Sequence, residues 1–186
     1  MLLRGPVISA IRFRFPIGPL PGNEEAVVST SYHRVADAID SGAVRLKEAT
    51  SFPPGIAGEY TSNTLRLSPV RDPASRALAV HECTHAFFDI ARKRISDQND
   101  EAAAYAAGML YLVLCGLGGS PVSGPYDAAR PVAEGLLQAY RAGTAGAPMV
   151  DLAAWQALRT YIRAHPSYRH LRGRWPDDTR GYPHDG

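Results

Sequence analysis

Hydrophobic and polar positions along the chain fall into segments of two different periods. From Glu24 to Ile39, Ala26, Val27, Val35, Ala38 and Ile39 stand among polar residues at helical spacing, and Gly42 closes the run, so a first helix is expected there. AVRLKEA (43–49) changes to period two, with Val44 and Leu46 alternating with polar neighbours. GEYTSNTLRLS (58–68) sets Tyr60, Leu65 and Leu67 in a strand-favouring context. Two or three short antiparallel strands are expected.

Helical periodicity returns at RDPASRALAVHECTHAFFDIARKR (71–94), where Asp72 suits the N-cap and Pro73 the first helical position. A polar turn, ISDQND (95–100), leads into EAAAYAAGMLYLVLC (101–115), a helix apolar on most sides that Gly116, Gly118 and Gly119 end. GSPVSGPYDAA (119–129) reads as a loop, Pro131 opens a helix to about Ala142, and GTAGAP (143–148) is a linker. A last amphipathic helix, Val150 to Ala164, carries Leu152, Trp155, Leu158 and Ile162 on one face and stops at Pro166. There is no internal repeat. The expected whole is one α+β domain over 1–186, with a small antiparallel sheet packed on a central helix, further helices, a loose N-terminal arm (about 1–22) and a loose tail (about 166–186).

Composition narrows the function classes. The chain has 186 residues, 45% hydrophobic and 20% charged, which is a globular balance, and no apolar run approaches the roughly 20 residues a membrane span needs. Arg4, Pro6, Arg12 and Arg14 interrupt the N-terminal apolar stretch before a signal-peptide core can form, so a cytoplasmic protein is expected, with export as an effector left open. A net charge of +2 with scattered arginines gives no basic surface for nucleic acid; Arg169, Arg172 and Arg174, near Tyr168 and Trp175, belong to the tail and read as a solvated end. Two cysteines, Cys83 and Cys115, read as core thiols rather than a disulfide framework.

The chemistry concentrates in HECTH (81–85). On a helix, positions four apart share a face, so His81 and His85 can aim two imidazole nitrogens at one point. Zinc accepts such nitrogens and a carboxylate, and a catalytic site keeps its fourth position for water. Glu82, about 100° around the helix, is placed to act on that water as a general base and to return the proton to a leaving amine. Glu101, 16 positions beyond His85 on the next helix, is the expected third ligand, because a short turn lets the second helix fold back on the first. Asp100 is the alternative ligand. Asp97, Asp100 and Glu101 also suit a helix N-terminus.

HECTH followed by NDEAAAYAAGML (99–110) resembles the gluzincin branch of zinc metallopeptidases, in which HExxH on one helix is joined by a glutamate ligand on the next. HECTHAFFD is similar to the thermolysin-type helix, and EAAAYAAGML to the compact glutamate helix of minigluzincins and ImmA-type peptidases. The similarity spans roughly residues 60 to 115 and implies a zincin-like fold, with His81, His85 and Glu101 holding Zn2+ and Glu82 as base and proton shuttle. It also implies that TSNTLRLS (61–68) is an edge strand pairing with an extended peptide or protein substrate.

The resemblance has departures. Phe88 and Ala91 stand where the metzincin pattern needs Gly and His, and neither cysteine lies where a deformylase ligand would. Tyr105 occupies the position of the thermolysin-type aspartate that orients a histidine, so another partner such as Asp89 or a backbone carbonyl is required. Tyr105 shares a helical face with Glu101 and is the first choice for stabilising an oxyanion; Tyr161, His165 and Tyr168 are chemically able alternatives. The expected activity is zinc-dependent hydrolysis of a peptide or amide bond. The rivals are a regulatory or binding module with a structural or degenerate metal site and a delivered toxin or effector peptidase.

Overall fold

The computed structural model describes residues 2–18, 22–52 and 57–168, which form an α+β fold. The Arg-rich tail residues 169–186 lie outside the described residues. Leu2–Arg4 is a 3-10 turn, followed by α1 (Pro6–Ala10), β1 (Phe13–Pro16), β2 (Glu24–Val27), α2 (Ser29–Asp40) and β3 (Arg45–Glu48). A hairpin of β4 (Gly58–Thr61) and β5 (Thr64–Leu67) precedes four helices: α3 (Pro73–Ile90), α4 (Asp97–Leu114), α5 (Pro125–Arg141) and α6 (Leu152–Ala164). Among the described residues no helix is long and apolar enough to cross a membrane.

The N-terminal segment is not a loose arm. Ile11, Phe13 and Phe15 alternate with Arg12 and Arg14, and the alternation places the apolar three fully in the core while β1 pairs antiparallel with β2. Phe15 stacks 4.9 Å from Trp155 of α6 and meets Phe88 of α3 edge-on at 6.1 Å, so this short strand fills the space between two helices. The chain before α6 returns to the same strand: Arg14 N–H donates to the Pro148 carbonyl at 2.8 Å, and Val150 N–H donates to the Arg14 carbonyl at 2.9 Å. Residues 24–27, expected as the start of the first helix, are therefore strand. The helix begins at Ser29, after Val28 in extended conformation whose N–H the Ser31 hydroxyl accepts at 3.1 Å.

The three-stranded sheet is mixed rather than antiparallel, in the order β3-β5-β4. Ser62 and Asn63 both have positive φ (45° and 54°), the geometry of a two-residue hairpin turn, and this pairs β4 with β5 antiparallel. β3 then joins the other side of β5 in parallel. TSNTLRLS is consequently the middle strand with its turn, not an edge; the edges are β3 and β4. Alternation reports which residues share a face but not which neighbour a strand takes, and at the β3 edge Leu46 stays 56% exposed although Val44 is buried.

α3 keeps the expected start, with Asp72 accepting the Ser75 N–H at 2.9 Å and Ser75 reaching back to Asp72 N–H. It ends without glycine. Arg92 takes φ 49°, and the bonds Arg92 N–H to Asp89 O and Lys93 N–H to Phe88 O close the helix and reverse the chain. α4 starts at Asp97 under a Ser96 cap, one turn earlier than the apolar pattern indicates, which moves Glu101 into the second turn. Its buried alanines (102, 103, 104, 106 and 107) let α3 and α5 approach closely. Closest of all is Gly108, where a Cβ would lie 2.8 Å from the Ala77 carbonyl and 2.9 Å from the Tyr126 ring.

α5 begins at Pro125, not Pro131. Gly124, with φ 66° and ψ −140°, turns the chain as no other residue does comfortably, Pro125 fills the first helical position, and Pro131 is accommodated inside the helix. α6 begins at Leu152, capped by Asp151, and buries Trp155, Leu158 and Ile162; Leu152 itself is 61% exposed. A groove of about 490 Å3 lined by Leu2, Val7, Val70, Arg76 and Tyr111 shares no residue with the site described below.

Candidate metal centre

α3 and α4 together bring His81, His85 and Glu101 into one cluster, in which one donor atom from each lies within 4.8 Å of the others. His81 Nε2 and His85 Nε2 are 3.1 Å apart, and Glu101 Oε2 lies 3.7 Å and 3.9 Å from them. Two ligand atoms, each 2.0–2.1 Å from a zinc ion at the tetrahedral angle, stand about 3.3 Å apart, so the donor spacings bracket what one small cation requires. Two imidazoles and one carboxylate are a donor set that could hold a small divalent cation, zinc among them. Asp100 is not part of this set.

Asp100 instead binds the far side of the His85 ring. Its Oδ1 is 2.7 Å from His85 Nδ1, and by accepting that proton it fixes the ring with Nε2 turned toward the cluster. One residue of separation on α4 turns Asp100 and Glu101 about 100° apart, so one carboxylate faces the convergence point and the other its flank. Asp89, the suggested orienting residue, is occupied elsewhere: it accepts from the Tyr60 hydroxyl at 2.6 Å and ties α3 to the hairpin. His81 Nδ1 is buried and without a hydrogen-bond partner among the described residues, packed where the Tyr105 ring stands 4.3 Å from its own.

Glu82 points into the same space, with Oε1 4.0 Å from His81 Nε2. It is 6% exposed, and burial pushes its carboxyl up to about 7, opposed by the His85 charge and by a hydrogen bond from the backbone of Tyr60 on β4. β4 is able to come this close because Gly58 has no side chain: a Cβ there would be 3.1 Å from Glu82 Cγ. Burial likewise raises Glu101 to about 7, against the pull of His85 and of a hydrogen bond from Tyr168. The two histidines part company. Burial and the neighbouring His85 charge hold His81 well below its usual value, whereas for His85 the burial effect is outweighed by Asp100, Glu101 and Glu82, which raise it to about 10.

Three tyrosines line the cluster. Tyr105 donates to the Tyr168 hydroxyl at 2.5 Å, since the Tyr168 proton is given to Glu101 Oε2 at 3.0 Å. Tyr126 packs against Tyr105 edge-on at 5.1 Å. Of the other suggested oxyanion groups, His165 stacks on the exposed ring of Tyr161 at 5.7 Å and neighbours Tyr168 at 6.1 Å. Between the histidines, Thr84 donates to the Val80 carbonyl and meets the Tyr32 hydroxyl at 3.1 Å, and Cys83 is buried with its thiol pushed up by desolvation, so both pack rather than line the site. Sequence spacing carried no sign of Tyr126 or of the Tyr60 backbone, because both arrive from elements distant along the chain.

Comparison with protein-family models, with curated proteins and with solved structures finds no match.

Proposed function

We propose that the protein is a zinc-dependent hydrolase of peptide or amide bonds, on the gluzincin-like plan of two histidines, one glutamate ligand and a neighbouring glutamate base. The observation that carries this reading is the convergence of His81 Nε2, His85 Nε2 and Glu101 Oε2, with the Glu82 carboxylate beside them and outside the ligand set. Zinc held by these three side chains supplies Lewis acidity that polarises a scissile carbonyl and makes water easier to deprotonate.

Glu82 takes a proton from the attacking water and returns it to the departing nitrogen. A buried carboxyl poised near neutrality is suited to both transfers. Asp100 holds His85 in the tautomer that leaves Nε2 free, and the Tyr60 backbone restrains the Glu82 carboxylate. An extended substrate would pair with β4, the edge strand beside Glu82, through the outward backbone groups of Gly58 and the Tyr60 carbonyl, since the Tyr60 N–H is donated to Glu82 and the pairs these residues form with Leu67 and Leu65 are the non-hydrogen-bonded ones. Tyr105 lines the site as an oxyanion-stabilising residue would, but its proton is directed to Tyr168, so that role requires the bond between the two hydroxyls to open on substrate binding.

Metal analysis of the purified protein with three variants tests the proposal. His81→Ala and Glu101→Ala lose zinc; Glu82→Gln retains it and loses turnover on a library of fluorogenic extended peptides. Unchanged zinc content in both ligand variants would sink the site, and wild-type turnover by Glu82→Gln would remove Glu82 from the reaction.

A further inference from the structure

The turn that follows α6 reaches the metal centre. Pro166 stops the helix, Tyr168 N–H donates to the His165 carbonyl at 3.1 Å, and the resulting 3-10 turn directs the Tyr168 side chain back toward α4. There its hydroxyl meets two side chains one helical turn apart on the same face: it donates to Glu101 Oε2 at 3.0 Å and accepts from Tyr105 at 2.5 Å. Glu101 Oε2 is also the oxygen that faces both histidine Nε2 atoms. A carboxylate oxygen has two lone pairs, so one oxygen can face a cation and accept a hydroxyl proton at once.

The placement of Tyr168 is well supported. α6 buries Trp155, Leu158 and Ile162, and at the level of the first turn of α4 the Gln98 side chain donates to the Arg159 carbonyl at 2.7 Å while Arg159 donates back to Gln98 at 3.3 Å. The ring of Tyr168 packs between Tyr105 at 6.4 Å and His165 at 6.1 Å. The end of α6 is thus fastened to the helix that carries Glu101, and the turn beyond it inherits that position. Among the described residues Tyr168 is the side chain that donates to Glu101 and orients it, as Asp100 is the partner that orients His85.

We infer that Tyr168 is a positioning residue for the metal centre: through its hydroxyl, the segment after α6 holds Glu101 in the orientation of a third ligand, and Tyr105 orients that hydroxyl in turn. Residues 166–168 therefore belong to the site rather than to a loose tail. This rests on the zinc reading above, and deepens it by adding the C-terminal turn to the elements that build the centre.

Outer partners of metal ligands typically change affinity by about 10- to 100-fold when removed. Tyr168→Phe keeps the ring contacts and deletes only the hydroxyl, so its zinc dissociation constant, measured in the full chain by competition with a chromophoric chelator, should rise by about that factor. Loss of the two hydroxyl bonds should also lower the unfolding midpoint of the zinc-stripped variant, so the discriminating readout is the stabilisation gained on adding zinc, which a merely structural tyrosine would leave at its wild-type size. In the cobalt-substituted protein the visible ligand-field bands should shift as Glu101 reorients. Tyr161→Phe, on the exposed side of His165, serves as a control and should leave affinity within about twofold. Wild-type affinity for Tyr168→Phe overturns the inference, and so does tighter binding, which would mean that the hydroxyl competes with the metal for Oε2. If the wild-type chain itself binds no zinc, or His81→Ala binds it equally well, the underlying zinc reading fails first.

Discussion

Removing the charge of Asp100 should weaken zinc binding at a residue that never touches the metal. The His85 Nδ1 to Asp100 Oδ1 distance is 2.7 Å and the two side chains are 15% and 19% exposed, so the bond is charge-assisted and largely shielded from water. Such bonds contribute about 1.5–3 kcal/mol, and neutral ones about 0.5–1.5 kcal/mol. Asp100→Asn preserves the shape and an acceptor, so the difference, roughly 1–1.5 kcal/mol, predicts a five- to thirteenfold rise in the zinc dissociation constant. Asp100→Ala removes the partner altogether and should cost about 10- to 100-fold. The same carboxylate also favours a competing proton on His85 Nε2, but zinc carries two charges to the proton's one, so the net direction favours the metal. The assay is chelator competition at fixed pH on the wild type, both Asp100 variants, His85→Ala and the His85→Ala/Asp100→Ala double variant. In the double variant the Asp100 effect should largely vanish. An Asp100→Ala protein with wild-type affinity, or an equal loss with and without His85, would refute the orienting role.

Two further outcomes follow from the same structure. In chelator-treated protein the thermal midpoint should fall as pH rises from 6.5 toward 10: His85 binds its proton more tightly folded (about 10) than unfolded (6.5), so its contribution is complete below 6.5 and lost as pH climbs through 10. Glu82 and Glu101, raised from 4.5 to about 7, act with the same sign up to about 7, and His81, lowered, opposes them only below 6.5; melts across this range that show no decline would contradict the His85 assignment. Phe88→Ala, at a fully buried ring in edge contact with Phe15, should lower stability by about 3–5 kcal/mol in urea unfolding, and a loss under 1 kcal/mol would show that β1 does not pack there as described.

The elements that form from contacts close in sequence were legible beforehand, because their causes are local. α3 was readable from Asp72, Pro73 and the 3.6-residue apolar period, and strand character at 58–68 from its strand-favouring residues, though not the turn at Ser62–Asn63 that divides it into β4 and β5. Helical spacing likewise put His81, Glu82 and His85 on neighbouring faces, and a short turn put Glu101 within reach. The misread segments had competing local signals. Glu24–Val27 fits a helical pattern, yet pairing with the alternating Phe13 and Phe15 makes it strand, and Pro131 is a plausible helix start until Gly124 and Pro125 supply a better one.

What the sequence by itself determined was the inventory of the candidate site and the helices that carry it: residue types and spacing are covalent facts, and an i, i+4 pair needs only a helix to converge. The tertiary structure alone decided how that inventory is divided into roles. Asp100 became the partner of His85 rather than a ligand because α4 begins a turn early and presents its two carboxylates on different faces. β5 became a middle strand because β3 pairs across it, and Tyr168 reached Glu101 because α6 is fastened to α4. Each of these depends on contacts between segments far apart in the chain, whose free energy comes from burial and pairing in three dimensions and leaves no periodic mark on either segment alone.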